Sequence, residues 1–250
     1  MMTTWKRTIA AIIVAALAAF TIPAGATDSE PIAIHLGLEN ATLTRSTISE
    51  SETKFALEYS HYGISLTDES ARRGGKAVEF RLKPKETRTE IKIATIPNNT
   101  TRFVGFSVYF PEDFQPPKSW TLISQWWQGS PASPNIAFEL DDTQNRKLAI
   151  RIVSRTGTSE KNRTKYHYVG DLEKNRWIDF LVMFRVDDTG GKDGLLYVWR
   201  NGEPIVEYKG ELGYTDLYSS TSFRIGLYRS SGSDSDARVL FDDIYVLNLP

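Results

Sequence analysis

The chain is 250 residues long, with 30 Lys and Arg against 31 Asp and Glu, a formal net charge of -1. Its 40% hydrophobic and 24% charged residues are those of a folded globular chain, and they exclude wholesale disorder, collagen-like repeats and coiled coils. There is no cysteine, which excludes disulfides, zinc–thiolate sites, iron–sulfur clusters and thiol nucleophiles; the lack of net positive charge argues against a general nucleic-acid binder.

The chain opens with Lys6 and Arg7, then an apolar run from Ile9 to Phe20, then Ala24-Gly25-Ala26. A basic start, an apolar stretch and a small-residue cleavage signature make the layout of a secretory signal peptide, and the apolar run is short for a bilayer span. Residues 1–26 are expected to be cleaved. The remaining 27–250 read as one exported domain, periplasmic or secreted, with no integral membrane segment. Cleavage removes Lys6 and Arg7 and leaves 28 basic against 31 acidic groups, a net charge of -3. With no cysteine, that exported fold rests on core burial, and a chain of this size can bury about 70% of its unfolded surface.

Period-2 patterning dominates from there on. Val78, Phe80 and Leu82 alternate with Glu79 and Arg81, and Ile91 and Ile93 with Glu90 and Lys92. Phe103 to Phe110 is a mixed apolar run, and Leu148, Ile150 and Ile152 alternate again. Trp177 to Val186 is apolar on both faces, which predicts a central strand. Gly194 to Arg200 leads through Asn201-Gly202 into Ile205 to Tyr208; both turn residues tolerate positive φ, so a hairpin is expected. Thr221 to Tyr228 and Val239 to Val246 complete the strands. Amphipathic helical patterns are absent. The predicted fold class is all-β, a single-domain jelly roll or concanavalin-like sandwich of two sheets.

If one sheet of such a sandwich curves, its outer face forms a groove, and groove residues must have parity opposite to the core residues of their strand. Phe223, Ile225 and Leu227 share one face, leaving Arg224, Gly226 and Tyr228 on the other, with Gly226 read as open space between an Arg and a Tyr. Ile91 and Ile93 assign Arg88, Glu90 and Lys92 to the outer face. In Leu122 to Gln128, Gln125 goes with Trp127 and Trp126 with Gln128, without a clear choice of face. Charged strand residues are mostly ordinary solvated positions. Two arginines, a glutamine and a tyrosine on one face make a more specific set. Guanidinium forks grip carboxylates, tyrosine can pass protons, and Trp rings make stacking platforms. The set suits an anionic sugar polymer.

At these residues the chain resembles the heparin lyase I-like polysaccharide lyase family. The resemblance is carried by Arg88-Thr89-Glu90-Ile91, Ser124-Gln125-Trp126-Trp127 and Phe223-Arg224-Ile225-Gly226-Leu227-Tyr228-Arg229, in that order. Supporting pieces include Gly105 to Pro111, Trp177 to Phe180, Val198 to Gly202 and Asp68 to Ala77. It runs from about Asp68 to the C-terminus. The resemblance implies a jelly roll that cleaves uronate-containing polysaccharide by β-elimination. It implies that Arg88 holds the uronate and that Tyr228 is the catalytic tyrosine. Arg224 stands where heparin lyase I has a lysine, and Trp127 stands where the family has its catalytic histidine.

The chain has three histidines. His35, in an apolar run, is read as structural; His61 and His167, both flanked by tyrosine, are candidates for the missing base, with His167 preferred. The expected catalytic set is Tyr228, Arg88, Gln125 and His167. Arg224, Trp127, Glu90, Lys92, Gln128 and His61 are expected to bind substrate. Arg88 and Gln125 would stabilise the enolate-like intermediate, and Tyr228 would protonate the leaving oxygen and take the C5 proton too if both lie on one face; otherwise a histidine is the base. No cofactor is required for this chemistry. A structural calcium at Glu39 and Asp243 is the possible exception. The partner is an anionic polysaccharide, with glucuronate-rich polymers favoured, and the protein is expected to be a monomer. Two other readings remain open. A non-catalytic carbohydrate-binding module would use the same side chains, and Glu139-Leu140-Asp141-Asp142 resembles half of the signature of laminarinase-like glycoside hydrolases.

Overall fold

The computed structural model of the chain describes residues 32–36, 42–43, 47–50, 53–58, 63–72, 75–115, 120–141 and 149–248, with side chains from residue 63 onward. The expected signal segment, His61 and Glu39 lie outside these residues. In chain order the described strands are β1 (Ile32–Leu36), β2 (Thr42–Leu43), β3 (Thr47–Glu50), β4 (Thr53–Glu58), β5 (Ile64–Thr67) and β6 (Ala77–Leu82). Then come β7 (Arg88–Pro97), β8 (Arg102–Tyr109), β9 (Thr121–Trp127), β10 (Ile136–Asp141), β11 (Ala149–Gly157) and β12 (Asn162–Asp171). The last are β13 (Trp177–Arg185), β14 (Gly194–Arg200), β15 (Glu203–Gly210), β16 (Gly213–Tyr214), β17 (Ser220–Arg229) and β18 (Ala237–Asn248). Among the described residues no helix is long and apolar enough to cross a membrane.

The strands form two sheets, one ordered β15-β14-β13-β8-β18-β6-β5 with β1 also on β18, the other β12-β11-β10-β9-β17-β7-β4-β3-β2 with β16 beside β11. Among the described residues only the short β11–β16 pairing is parallel. This is the expected all-β jelly-roll sandwich. Its core is set by strand parity. Val78, Phe80 and Leu82 of β6 and Phe223, Ile225 and Leu227 of β17 all point between the sheets and are fully buried. Phe106 ties the layers together. Its ring lies 5.6 Å from Phe138 and 6.3 Å from Phe223 in one sheet, and 5.5 Å from Phe180 in its own. Trp126 joins them, 4.8 Å from Phe223, which settles its strand: Trp126 faces the core, and Gln125 and Trp127 face out.

The doubly apolar Trp177 to Val186 is β13, interior to its sheet as expected, between β14 and β8. Its second face has its own cluster, where Leu181 and Met183 pack with Phe103, Trp199 and Tyr245. The Asn201-Gly202 turn closes the β14–β15 hairpin with φ of 51° and 84°, the positive values that its residues were expected to tolerate. The sequence pattern missed β10, because Ala137 on its outer face interrupts the alternation. It marked β12 weakly, because this edge strand is mostly exposed and its composition is correspondingly polar.

Gly226 departs from the expectation. It does not leave groove space between Arg224 and Tyr228. Its φ is 133°, and a Cβ there would lie 2.3 Å from the Thr89 carbonyl oxygen and 3.0 Å from Phe80. The pairing of β17 with β9 shifts register between Ile225 and Tyr228, so the glycine supplies a bulge that lets β7 approach. One residue beyond Tyr228, the buried Arg229 donates from Nε to the Glu86 carbonyl at 2.9 Å and from Nη1 to that of Ser235 at 2.8 Å. Its Nη2 donates to the Lys83 carbonyl at 2.6 Å, so this single cation ties the β6–β7 turn to the β17–β18 loop and fixes the end of β17.

Gly226→Ala is therefore expected to cost on the order of 1–3 kcal/mol in urea unfolding, the usual penalty of forcing a group into a packed site. An unchanged unfolding midpoint would show that β17 and β7 can part to admit the methyl group.

Candidate active site

The outer face of the larger sheet is built on a buried carboxylate. Glu90, on β7, is only 1% exposed, yet it lies on the strand face away from the core. Arg88, two residues earlier on the same face, donates from Nε to Glu90 Oε2 at 2.5 Å. Gln125, on β9, is also 1% exposed and donates from Nε2 to Glu90 Oε1 at 2.5 Å. The bridge crosses the strand between them, β17, where Gly226 is the residue that opposes Glu90. Burial pushes the Glu90 carboxyl above its ordinary pKa. The Arg88 charge and hydrogen bond, the Gln125 hydrogen bond and the nearby Arg224 charge pull the other way. Both donors are N–H groups, which favour the ionised form of the carboxyl they share.

Tyr228 stands over this base. The Arg88 guanidinium lies 4.3 Å from the centre of the Tyr228 ring, and the Trp120 ring meets it edge-on at 5.0 Å. Stacked this way, the cation and the ring hold each other in place. The Tyr228 ring also packs on Leu122, Ala137 and Val153, an apolar patch of the same face. A cavity of about 510 Å³ opens here, with Arg88, Gln125, Trp127 and Tyr228 among its walls. The segment from Ser130 to Pro134 forms one flank, and Trp127 Nε1 donates to the Ala132 carbonyl at 2.9 Å to hold it. Trp127 thus braces the wall, and its indole N–H cannot act as a base.

The structure brings together Arg88, Glu90, Gln125, Trp127 and Tyr228. Arg224 is close by but buried, its guanidinium 4.9 Å from the Trp127 ring and its Nε donating to Ser222 Oγ at 3.2 Å. It acts from beneath the floor rather than within the groove. Lys92 pairs in register with Arg224 and does not line the cavity. Gln128 is not a groove residue. It lies just past the end of β9, buried, donating to the Tyr214 and Tyr218 carbonyls at 3.0 and 3.2 Å and accepting from the Tyr214 N–H at 2.8 Å.

His167 is also displaced from its expected role. The β11–β12 pairing shifts register between Ile152 and Val153, which makes His167 the extra residue of a bulge and breaks the alternation of Tyr166-His167-Tyr168. Its ring turns away from the groove to Tyr208 of the other sheet, 4.7 Å between centres, and Nε2 lies 2.7 Å from Ser154 Oγ. Burial, then Lys165, lowers its pKa from 6.5 to about 4. Asp243 sits on the other sheet, with Oδ2 3.2 Å from Arg72 Nη1. The positive charge at that carboxylate comes from an arginine, and among the described residues no group of three or more His, Cys, Asp or Glu could hold a metal ion.

Sequence reasoning missed Trp120, Arg151, Arg155 and Tyr166, which line the same cavity. Parity within β11 could have found the two arginines, since Ile150 and Ile152 face the core. Glu139, read as half of a hydrolase signature, is buried between them, accepting from Arg151 Nη2 at 2.7 Å and Arg155 Nη2 at 2.8 Å. Each of its oxygens is held by a guanidinium, which leaves neither free to carry a proton to a glycosidic oxygen.

The outer face of the larger sheet of this jelly roll thus gathers arginines, a glutamine and a tyrosine around one cavity. The family model for polysaccharide lyases matches residues 41–245, and the chain belongs to that family. A comparison with curated protein sequences finds no match. Among solved structures, the chain is similar to the endo-β-1,4-glucuronan lyase of the fungus Trichoderma reesei, with a TM-score of 0.60 and 17% identity over 77% of this chain and 90% of that one. It is similar to the alginate lyase Aly36B, with a TM-score of 0.59 and 10% identity over 88% of this chain and 98% of that one. The catalytic domain of a glycoside hydrolase family 131 protein from Coprinopsis cinerea also aligns, with a TM-score of 0.52 and 14% identity over 75% of this chain and 78% of that one. At these identities the likeness is one of fold.

Two predictions follow from the site. Glu90→Gln should fold but lose on the order of 10²-fold in kcat/KM, because Arg88 and Gln125 lose their common anchor. Wild type should lose activity on acidification, at a pH above the ordinary carboxylate value of 4.5, and this limb should vanish in Glu90→Gln. An acid limb kept in the variant would contradict the assignment. His167 behaves differently. Unfolded, it takes a proton near pH 6.5, and folded only near 4, so the unfolded state holds more protons between these values and stability falls as pH drops through that window. In His167→Asn that part of the urea-midpoint profile should flatten while turnover is kept; loss of turnover would return His167 to the mechanism.

Proposed function

We propose that the protein is an exported lyase that cleaves a 1,4-linked, glucuronate-rich polysaccharide by β-elimination, with Tyr228 as both base and acid. The observation that carries this reading is the placement of Tyr228. It lines the cavity with a guanidinium on its ring and stands beside an Arg88–Gln125 pair fixed by a buried carboxylate. Membership of the polysaccharide lyase family supports the reaction type. The basic signal-like N-terminus supports export.

The chemistry assigns each group a step. The uronate carboxylate lies against Arg88 and Gln125, whose N–H groups stabilise the charge that builds on it as C5 loses its proton. Tyr228, as phenolate, takes the C5 proton. The electrons of the C5–H bond form the C4–C5 double bond, the C4–O bond breaks, and the departing oxygen recovers a proton from the Tyr228 hydroxyl. One product begins with an unsaturated uronate; the other ends in a free anomeric hydroxyl. Among the described residues, Tyr228 is the proton-transfer group of the groove with no histidine beside it. One phenol can serve both steps only if the C5 hydrogen and the C4 oxygen share a ring face. D-Glucuronate and D-mannuronate meet that condition, and their C5 epimers do not. A second reading, a module that binds uronate chains without breaking them, draws on Trp127 at the family's histidine position.

Ultraviolet absorbance of the unsaturated product should rise when the protein is mixed with glucuronan or polymannuronate and stay flat with polyguluronate. Tyr228→Phe should reduce turnover by about 10²–10⁴-fold and change binding little, as for loss of a general acid–base. Cleavage of polyguluronate alone would contradict the single-tyrosine mechanism. Binding without turnover on every uronate polymer would favour the module.

A further inference from the structure

The cavity that holds Tyr228 does not end there. It crosses β9 and β10 to β11 and reaches Tyr166 on the edge strand β12. Tyr166 is 57% exposed, one of the few large rings of the described residues left open to water. It is held in place: the Arg151 guanidinium lies 4.8 Å from its ring centre, and Arg151 is fixed in turn by Nε and Nη2 bonds to Glu139 Oε2 at 3.1 and 2.7 Å. Arg155 reaches the other Glu139 oxygen and also donates from Nη1 to the Pro134 carbonyl at 2.8 Å, joining the cluster to the groove wall. Two guanidiniums thus converge on one buried carboxylate beside a rigid, exposed aromatic ring. Three strand steps separate Tyr228 on β17 from Arg151 on β11, about 14 Å at the usual strand spacing, and a fourth reaches Tyr166. A sugar chain laid across the strands from Tyr228 covers that distance with several rings.

We propose that Tyr166 and Arg151 form a distal subsite that holds a uronate ring several units from the bond cleaved, with the sugar face on Tyr166 and its carboxylate in the positive potential of Arg151 and Arg155. The site selects long anionic chains over short ones and places the scissile bond inside the chain. This rests on the reading of the groove as a uronate-binding cleft but not on its catalysis. The two parts of Glu139's environment explain why the subsite is rigid. The buried acid orients both arginines, and Arg151 in turn braces the ring, so little side-chain freedom is lost when a sugar arrives.

The test measures binding of a β-1,4-glucuronate hexasaccharide by calorimetry in a Tyr228→Phe background, where no turnover intrudes. Tyr166→Ala should weaken binding about three- to tenfold, the range expected for losing one stacking ring. Tyr166→Phe should retain the affinity, since the ring and not the hydroxyl is used, and Arg151→Gln should weaken it and reduce its salt dependence. Equal hexasaccharide affinities in the Tyr166→Ala and parent proteins, with matching melting curves, would overturn the subsite. Turnover is scored separately with Tyr228 intact. Weakened binding in Tyr166→Ala without unsaturated product from any protein would sustain the subsite and overturn the lyase.

Discussion

A carboxylate shut away from water fixes the rest of the site. Glu90 is 1% exposed, and the cost of burying its charge is partly offset by Arg88, Gln125 and the nearby Arg224. The arrangement works in both directions. Arg88 and Gln125 need Glu90 to hold them at fixed positions, and Glu90 needs their donors to stay ionised. Two side chains that could otherwise wander over several rotamers become fixed donors, and in the proposed reading they form a cradle for the substrate's own carboxylate. Tyr228 inherits its position from the same source, because the guanidinium that Glu90 anchors is the one stacked on its ring.

The sandwich exists to present that cradle. Strands β7, β17 and β9 lie side by side, and each contributes one face to the phenylalanine-rich core and the other to the groove. Strong packing on the inner face, centred on Phe106, makes the outer face stiff. The bulge at Gly226 brings β7 close enough to β17 for the Glu90–Gln125 bond to span it, and Arg229 pins the end of β17 just beyond Tyr228. The same device recurs farther along the sheet, where Glu139 binds Arg151 and Arg155. In both places a buried acid spends its charge on holding arginines rather than on chemistry.

Much of this was legible from parity. The fold class, the doubly apolar central strand, the Asn201-Gly202 turn and the outward set Arg88, Glu90 and Tyr228 all follow from alternation and turn chemistry, whereas Gln125 gained its face only from the packing of Trp126 in the core. What parity could not give was depth. Arg224 and Glu90 share a face with Tyr228 but lie beneath the floor, because neighbouring rings and strands cover them. Bulges defeated it outright. At His167 one extra residue turned the ring into the sandwich, and at Gly226 a bulge filled the space that the sequence left open. Gln128 lay one step past its strand, where alternation no longer applies. The outward parity of Arg151 and Arg155 was legible in β11, but their joining to Glu139, Tyr166 and the loop at Pro134 was not, because those partners arrive from other segments.

The central claim is that Arg88 and Gln125 hold the uronate carboxylate while Tyr228 faces C5 and O4 from one side. The most direct test is a crystal structure of the Tyr228→Phe protein with a bound glucuronate oligosaccharide. The account predicts a carboxylate at Arg88 and Gln125, with C5 and the glycosidic oxygen both within about 3.5 Å of where the missing phenol oxygen would lie, a near-attack separation. A chain bound with C5 turned toward a different ionisable side chain, or with its carboxylates away from Arg88, would contradict it.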